Sequence, residues 1–536
     1  MKLIKKIAAI MFAFMMVFTL SSNVNAEETA GTGKITVNDA IDGQTYTVYR
    51  ILKLDSYEPK VDQSGKDTGI YSYKPNGNWV NFLKDTTNKG GSDYIEIDGN
   101  DYARWKGEDT DTRRAEFAKR ALAWAKKHAN DTDANTKIDA VQSLPASNNK
   151  VEFSNLDLGY YLVDSSVGAL CSLTTTNPTI SVNEKNEKPV LEKRVNTFTG
   201  MYNYCSSSDL VKYTTANFGD VVHFTLTIKN FKGAENLVLN DTLEEGLELY
   251  KNKFDNDSFT VSMNLVNKDK VDTGVDPSDT TNIIRLTQNN DYTLTTSKVD
   301  NKDSFEITFT EEGYKKLEAN QNCVLRISYS VVVNKNANIN NINTATLTYG
   351  DNNSTQDEAY VGSLNIPVLK YTNYGGTEKN LPDAQFGLYK EDSCTTVLKF
   401  SKDDTTNVYN YDEHGDVTTT LTSDANGKIQ INGLAKGTYY LKEIKAPKGY
   451  NLLKNPIKVT IAPVVDTTTN KITSEKITVE KDGKTEDVTE VKVLNNTGKL
   501  LPSTGGMGTT LIYLIGGALV LGSGIVLANK KRVKAK

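Results

Sequence analysis

Along most of the chain, apolar and polar residues alternate with a period of two, the pattern of half-buried β-strands. Lys34-Ile35-Thr36-Val37 and Gln44-Thr45-Tyr46-Thr47-Val48-Tyr49 are the first two such runs, with the turn-forming Asp42-Gly43 between them. Residues 221–228 and 324–331 read as further strands, and Asn- and Asp-rich turns separate the runs. Helical spacing takes over in few places. Between Asp111 and Asn130, Phe117, Ala121, Trp124 and His128 fall near one face of a predicted helix. Its charges (Arg113, Arg114, Lys119, Arg120, Lys126, Lys127) form either a solvated face or a docking patch. From Thr510 to Ala528 an apolar run of about 19 residues gives roughly 28 Å of helix, the thickness of one bilayer. The basic tail Lys530, Lys531, Arg532, Lys534 and Lys536 follows it.

These elements predict an all-β protein of three tandem Ig-like β-sandwich domains stacked as a rod. Residues 27–188 form the first, with the helical insertion, 189–363 the second and 364–500 the third. A repeated string supports a shared plan for the first and last. Leu156-Asp157-Leu158-Gly159-Tyr160-Tyr161-Leu162-Val163-Asp164 parallels Leu434-Ala435-Lys436-Gly437-Thr438-Tyr439-Tyr440-Leu441-Lys442-Glu443, which aligns Asp164 with Glu443.

The candidate chemistry lies where the alternation puts a polar group on an apolar face. Ile366, Val368 and Lys370 share a strand face, as do Tyr439, Leu441 and Glu443, and as do Val491, Val493 and Asn495. Each polar group alone in a core costs several kcal/mol. Together they can react. Burial favours the neutral amine and the protonated acid, so Lys370 attacks the Asn495 amide carbon while Glu443 polarises its carbonyl and relays protons. The product is a Lys370–Asn495 isopeptide bond, with ammonia leaving. The middle domain repeats the arrangement with an aspartate: Leu191, Lys193 and Val195; Leu237, Leu239, Asp241 and Leu243; Asn343, Ala345, Leu347 and Tyr349. The expected bond there is Lys193–Asn343 with Asp241 as the acid, and Asn341 and neighbouring asparagines are the alternative amides. In the first domain the position aligned with Lys370 holds Asn38, with Lys34 as a substitute, and no bond is expected.

The ends alter the charge and the compartment. Lys2, Lys5 and Lys6 precede an apolar stretch from Ile7 to Leu20, and Val24-Asn25-Ala26 forms a small-residue cleavage site, so residues 1–26 read as a signal peptide. Residues 501–536 combine Leu501-Pro502-Ser503-Thr504-Gly505, the membrane span and the basic tail. Removing the segments before Glu27 and after Thr504 takes away three and five basic residues, leaving 54 basic against 67 acidic, a net −13. That balance disfavours nucleic acid and anionic membrane as partners. Cys171, Cys205, Cys323 and Cys394 contain no CxxC pair, and only Cys205 and Cys323 share a predicted domain, so a single disulfide would fall there. Three histidines without a Gly-x-Ser-x-Gly elbow argue against a hydrolase. The acidic stretch Asp93–Asp101 fits no calcium-loop spacing, so no metal or cofactor is expected.

The order pentapeptide, span, basic tail resembles the sorting signal of Gram-positive surface proteins. That resemblance implies a sortase whose cysteine attacks the Thr504 carbonyl, releases Gly505 onward and transfers the protein to peptidoglycan or to another subunit. Residues 439–450, Tyr-Tyr-Leu-Lys-Glu-Ile-Lys-Ala-Pro-Lys-Gly-Tyr, look like the E-box of Gram-positive pilins and of collagen-adhesin B-type (CnaB) domains. The middle domain is similar to the A-type (CnaA) pilin domain. Thr179-Ile180-Ser181-Val182-Asn183-Glu184-Lys185-Asn186 resembles the Val-Tyr-Pro-Lys-Asn pilin motif, with Asn183-Glu184 in place of Tyr-Pro. In that reading Lys185 is the amine that resolves the sortase thioester on Thr504 of another copy, with Lys188 as its rival. The resemblance implies a backbone pilin rather than an enzyme, polymerised with itself and joined by minor pilins, with a host surface ligand among its possible partners. The alternative is a singly anchored adhesin or minor pilin.

Overall fold

The computed structural model describes residues 33–497 and 507–533, apart from 88, 165–168, 175, 185–186, 197–209, 235, 252–257, 272–278, 351–352, 375, 416 and 482. The signal peptide, Lys185, Cys205 and the pentapeptide Leu501–Gly505 therefore lie outside the described residues. Strands dominate, and the chain divides into two compact units. One holds the chain up to Thr214 with Val221–Val332 and Ile342–Tyr360; the other holds Thr215–Asp220, Val333–Asn341 and everything from Val361.

The N-terminal part of the first unit opens with Gly33–Asn38, which lies parallel to Thr179–Asn183 and antiparallel to Lys150–Leu156 in a three-stranded sheet. A seven-stranded sheet built around the long Thr45–Glu58 strand provides the second layer. Ile35, Val37, Tyr46, Phe153, Tyr161 and Val163 fill one core. The helices Trp79–Lys84 and Asp111–His128 bury Phe82, Phe117, Ala121 and Leu122 in a second core with Tyr49, Ile51 and Leu162. Thr110 caps the long helix by accepting from the Arg113 amide. Arg113 donates to the carbonyls of Asp93 and Lys106, and Arg120 pairs with Asp93. These arginines tie the helix to an adjacent loop.

The repeated string has a structural cause. The Tyr161 hydroxyl donates to the Asp157 carbonyl at 2.6 Å, and the Tyr439 hydroxyl to the Ala435 carbonyl at 2.8 Å. Each tyrosine thus pins the chain four residues back, the tyrosine-corner device of β-sandwiches. This correspondence also corrects the expected alignment. Tyr161, not Tyr160, matches Tyr439, and a one-residue slip turns every later side chain to the opposite face. Asp164 therefore does not occupy the place of Glu443. It lies on the helix side, 3.5 Å from Lys126.

In the middle domain, Val190–Asn196, Val221–Lys229 and Cys323–Val333 run side by side in one sheet. Asn341–Tyr349, Val238–Leu243 and Lys302–Phe309 run side by side in the other. In the second unit, Leu364–Tyr374 pairs with Lys428–Leu434 and, in parallel, with Val491–Leu494. The facing sheet carries Gln385–Tyr389, Gly437–Lys445 and Ile457–Val465. Cys171, Cys323 and Cys394 carry free thiols. A C-terminal helix, Met507–Val533, covers the expected apolar run. Among the described residues, no helix is long and apolar enough to cross a membrane.

One glycine fixes the strand that carries Lys370. Gly427 adopts φ +74° in the turn before Lys428–Leu434, and its carbonyl accepts from the Lys370 amide at 2.7 Å. A Cβ there would lie 2.4 Å from the Lys370 carbonyl oxygen. Gly427→Ala combines a left-handed backbone with a backbone clash, so it should lower unfolding stability by roughly 1–3 kcal/mol, read from urea melts against wild type.

Candidate cross-linking sites

Each of the nine residues on the three stripes of the third domain is buried to 2% exposure or less. The Leu364–Tyr374 and Val491–Leu494 strands are parallel neighbours, with Lys370 opposite Val493. Asn495 follows directly and is held by donation from its amide to the Tyr371 carbonyl at 2.9 Å. Lys370 Nζ donates to Asn495 Oδ1 and, at 3.1 Å, to the Val493 carbonyl. Glu443 reaches in from the facing sheet. Its Oε1 accepts from Asn495 Nδ2 at 2.9 Å and lies 3.5 Å from Lys370 Nζ, while Oε2 accepts from the Leu453 amide at 2.9 Å. Burial pushes the Lys370 ammonium down to about 8. An amine so easily freed of its proton, touching an amide whose nitrogen rests on an acid, is poised for acyl transfer.

The middle-domain group is assembled differently. Lys193 comes from one sheet, and Asp241 and Asn343 come from neighbouring strands of the other. All three are fully buried. Lys193 Nζ donates to Asp241 Oδ2, to Asn343 Oδ1 at 2.8 Å and to the Tyr329 hydroxyl at 2.8 Å. Asn343 Nδ2 donates to the same hydroxyl at 2.9 Å. Phe224 stacks on Tyr329 at 5.7 Å, and Phe305 meets it edge-on at 4.9 Å. Desolvation lowers Lys193 to about 8 and raises Asp241, so burial favours the uncharged pair at both partners.

Two residues outside the expected set complete this site. Asp357 Oδ2 accepts from the Lys193 backbone amide at 2.6 Å, and its Oδ1 pairs with Lys212. Tyr329 lies within the predicted 324–331 strand but was not singled out; its only sequence signal is its place on the same face as Leu325, Ile327 and Val331. The rival amide Asn341 is occupied elsewhere, donating to the carbonyls of Asn338 and Val361 at 2.8 Å. In the first domain, Asn38 Nδ2 donates to Asn183 Oδ1 at 3.0 Å, and Lys34 pairs with Glu152 at a half-exposed position. Ser181 and Asn183 are exposed, Ile180 and Val182 pack against the core, and Lys188 is exposed.

Residues 365–477 match the family described as Prealbumin-like fold domain (SpaA), and residues 494–536 match the LPXTG cell wall anchor motif. The chain is a wall-anchored surface protein. The SpaA match holds Lys370 and Glu443, and Asn495 lies beyond it, at the start of the anchor-motif match. The chain is 28% identical over 301 residues to a fimbrial subunit type 1 of Actinomyces viscosus, a match covering 48% of this chain and 53% of that protein. The match thus spans about half the length of the curated relative. Among solved structures, the T6 backbone pilin of Streptococcus pyogenes is similar with a TM-score of 0.47 at 17% identity, covering 88% of this chain and 95% of that one. The major pilin SpaD of Corynebacterium diphtheriae gives 0.44 at 17%, covering 89% and 99%.

A test follows from the lowered amine in the SpaA-type domain. Asn495→Ala removes the acyl donor and leaves Lys370 as a buried amine. Its folded value near 8 lies below the ordinary 10.5, so the unfolded chain binds more protons between those two pH values. Unfolding free energy should therefore rise with pH across that window, by roughly 3 kcal/mol in all, and stay level with respect to Lys370 below it. Urea melts at pH 7.5, 9 and 10 should show the rise, and the Lys370→Met, Asn495→Ala double variant should lack it.

Proposed function

We propose that this protein is the structural backbone subunit of a covalently polymerised surface pilus, locked internally by Lys193–Asn343 and Lys370–Asn495 isopeptide bonds. The observation that carries the reading is the pair of buried Lys–acid–Asn groups in a chain that bears a wall-anchor motif. In each, the amine nitrogen attacks the asparagine Cγ, the amide nitrogen leaves as ammonia, and Asp241 or Glu443 moves the proton. The chemistry is done once by the fold on itself, so it turns over no external substrate. Lys and Asn are separated by 150 and 125 residues in sequence. By analogy with disulfides, closing loops of that size stabilises each domain by about 5 kcal/mol through the unfolded state.

Assembly uses the sorting signal. A sortase cleaves between Thr504 and Gly505, and the amine of Lys185 on a second copy resolves the thioester; repetition gives the fibre, and peptidoglycan takes the last subunit. The segment from Gly505 onward, which includes the Met507–Val533 helix, is released at that cleavage. Similarity to a fimbrial subunit supports this reading.

Wall extracts from cells expressing wild type should give a high-mass ladder after boiling in detergent, and Lys185→Ala should abolish it. A ladder that persists moves the linkage to Lys188. A single band from wild type would overturn polymerisation in favour of a singly anchored adhesin. Intact mass of the wild-type protein should fall short by two ammonia masses, and no shortfall would remove the cross-links.

A further inference from the structure

The two cross-linking groups treat the departing nitrogen differently. In the third domain it rests directly on the acid, Asn495 Nδ2 donating to Glu443 Oε1 at 2.9 Å. In the middle domain the acid is an aspartate, one methylene shorter, and Asn343 Nδ2 is held at 2.9 Å by the Tyr329 hydroxyl instead. The same hydroxyl oxygen accepts from Lys193 Nζ at 2.8 Å. Asp241 Oδ2 takes the third contact of the amine, so acid and hydroxyl meet at Lys193 Nζ, and Asp241 Oδ1 has no hydrogen-bond partner among the described residues. With two N–H groups pointing at it, the phenol oxygen accepts from both the amine and the amide and keeps its own hydrogen to give.

Building on the cross-linking proposed above, we infer that Tyr329 is a catalytic residue of the middle-domain bond, passing a proton between Asp241 and the leaving nitrogen of Asn343. The steps balance. A proton shifts from the Lys193 ammonium to Asp241, leaving a neutral pair. The amine lone pair attacks Asn343 Cγ, and the carbonyl oxygen takes the electron pair. Tyr329 gives its proton to Nδ2 while taking the one on Asp241, and Asp241 then takes the extra proton of Nζ. Ammonia departs as the carbonyl re-forms, and tyrosine and aspartic acid end as they began.

Physical features of the site suit this role. Stacking on Phe224 and edge contact with Phe305 and Phe259 fix the ring, so the hydroxyl has one position. Burial holds its ionisation well above the ordinary value, so it serves as a neutral relay that gives and takes together, rather than as a lasting phenolate. The third domain needs no such residue, because the longer Glu443 side chain spans the gap itself.

The test uses the full chain, made by cell-free synthesis with mild detergent and sampled over time by tryptic mapping of both cross-linked peptides. Tyr329→Phe should slow the Lys193–Asn343 peptide at least tenfold and leave the Lys370–Asn495 peptide at its wild-type rate. Site-specific 3-fluorotyrosine at 329 keeps the ring and the hydroxyl but makes the latter more acidic, so it should change the half-time of the first bond alone. Trypsin sensitivity shows whether the Phe variant has folded, and if it has not, the fluorotyrosine protein decides. A wild-type rate in Tyr329→Phe overturns the inference. So does an unchanged half-time with fluorotyrosine, which would make the hydroxyl a packing group. Absence of both peptides from wild type would instead overturn the cross-linking itself.

Discussion

An amine at the end of an apolar strand stripe is the constraint on which both sandwiches turn. Lys193 and Lys370 are wholly shielded from water. An ammonium so placed, without partners, would cost more than most domains have in total stability. Each fold must therefore bring a carboxyl and an amide to the same spot and make the charge unnecessary. Strand order, the corner tyrosine before Glu443 and the turn at Gly427 all serve that meeting. Interior packing is rigid enough to hold the groups in contact, which turns an electrostatic liability into proximity for reaction.

The two sites solve one problem with different strand adjacency. In the third domain, lysine and asparagine lie on parallel neighbours of one sheet, and the acid crosses from the other. In the middle domain the lysine crosses, while the acid and the amide are neighbours. The acid's length follows the geometry. Glu443 spans the interlayer gap to touch the amide, whereas Asp241 sits beside the amine and leaves the amide to an aromatic hydroxyl. Around Lys193, Asp357 adds a second carboxylate on the backbone amide, with Lys212 balancing its charge. That balance matters, because an unneutralised carboxylate nearby would hold the amine in its charged form.

The buried lysine, acid and asparagine of each group were legible because period-two alternation is strict in buried strands. A lysine, an acid and an asparagine on otherwise apolar faces stand out in one sequence without any alignment. Tyr329 did not stand out, since a tyrosine on an inward face is ordinary core until its hydroxyl has a partner, and that partner is 136 residues away. Asp357 was hidden for the same reason. The misplacement of Asp164 has a different origin. Two adjacent tyrosines in each repeat let the strings align in either register, and only the hydrogen bonds of Tyr161 and Tyr439 show which tyrosine is the corner. The division into compact units was not legible either, because the short segments Thr215–Asp220 and Val333–Asn341 belong with residues distant in sequence.

The parallel pairing of Leu364–Tyr374 with Val491–Leu494 has a mechanical corollary. A pull applied at the two ends of this domain enters along the first strand and leaves along the last. With the proposed Lys370–Asn495 bond in place, the load path crosses at that bond and skips the whole chain between them, a sequence separation of 125. At about 3.4 Å per residue, roughly 400 Å of potential lengthening is withheld. The bypassed sandwich could melt entirely and the domain would still be almost inextensible.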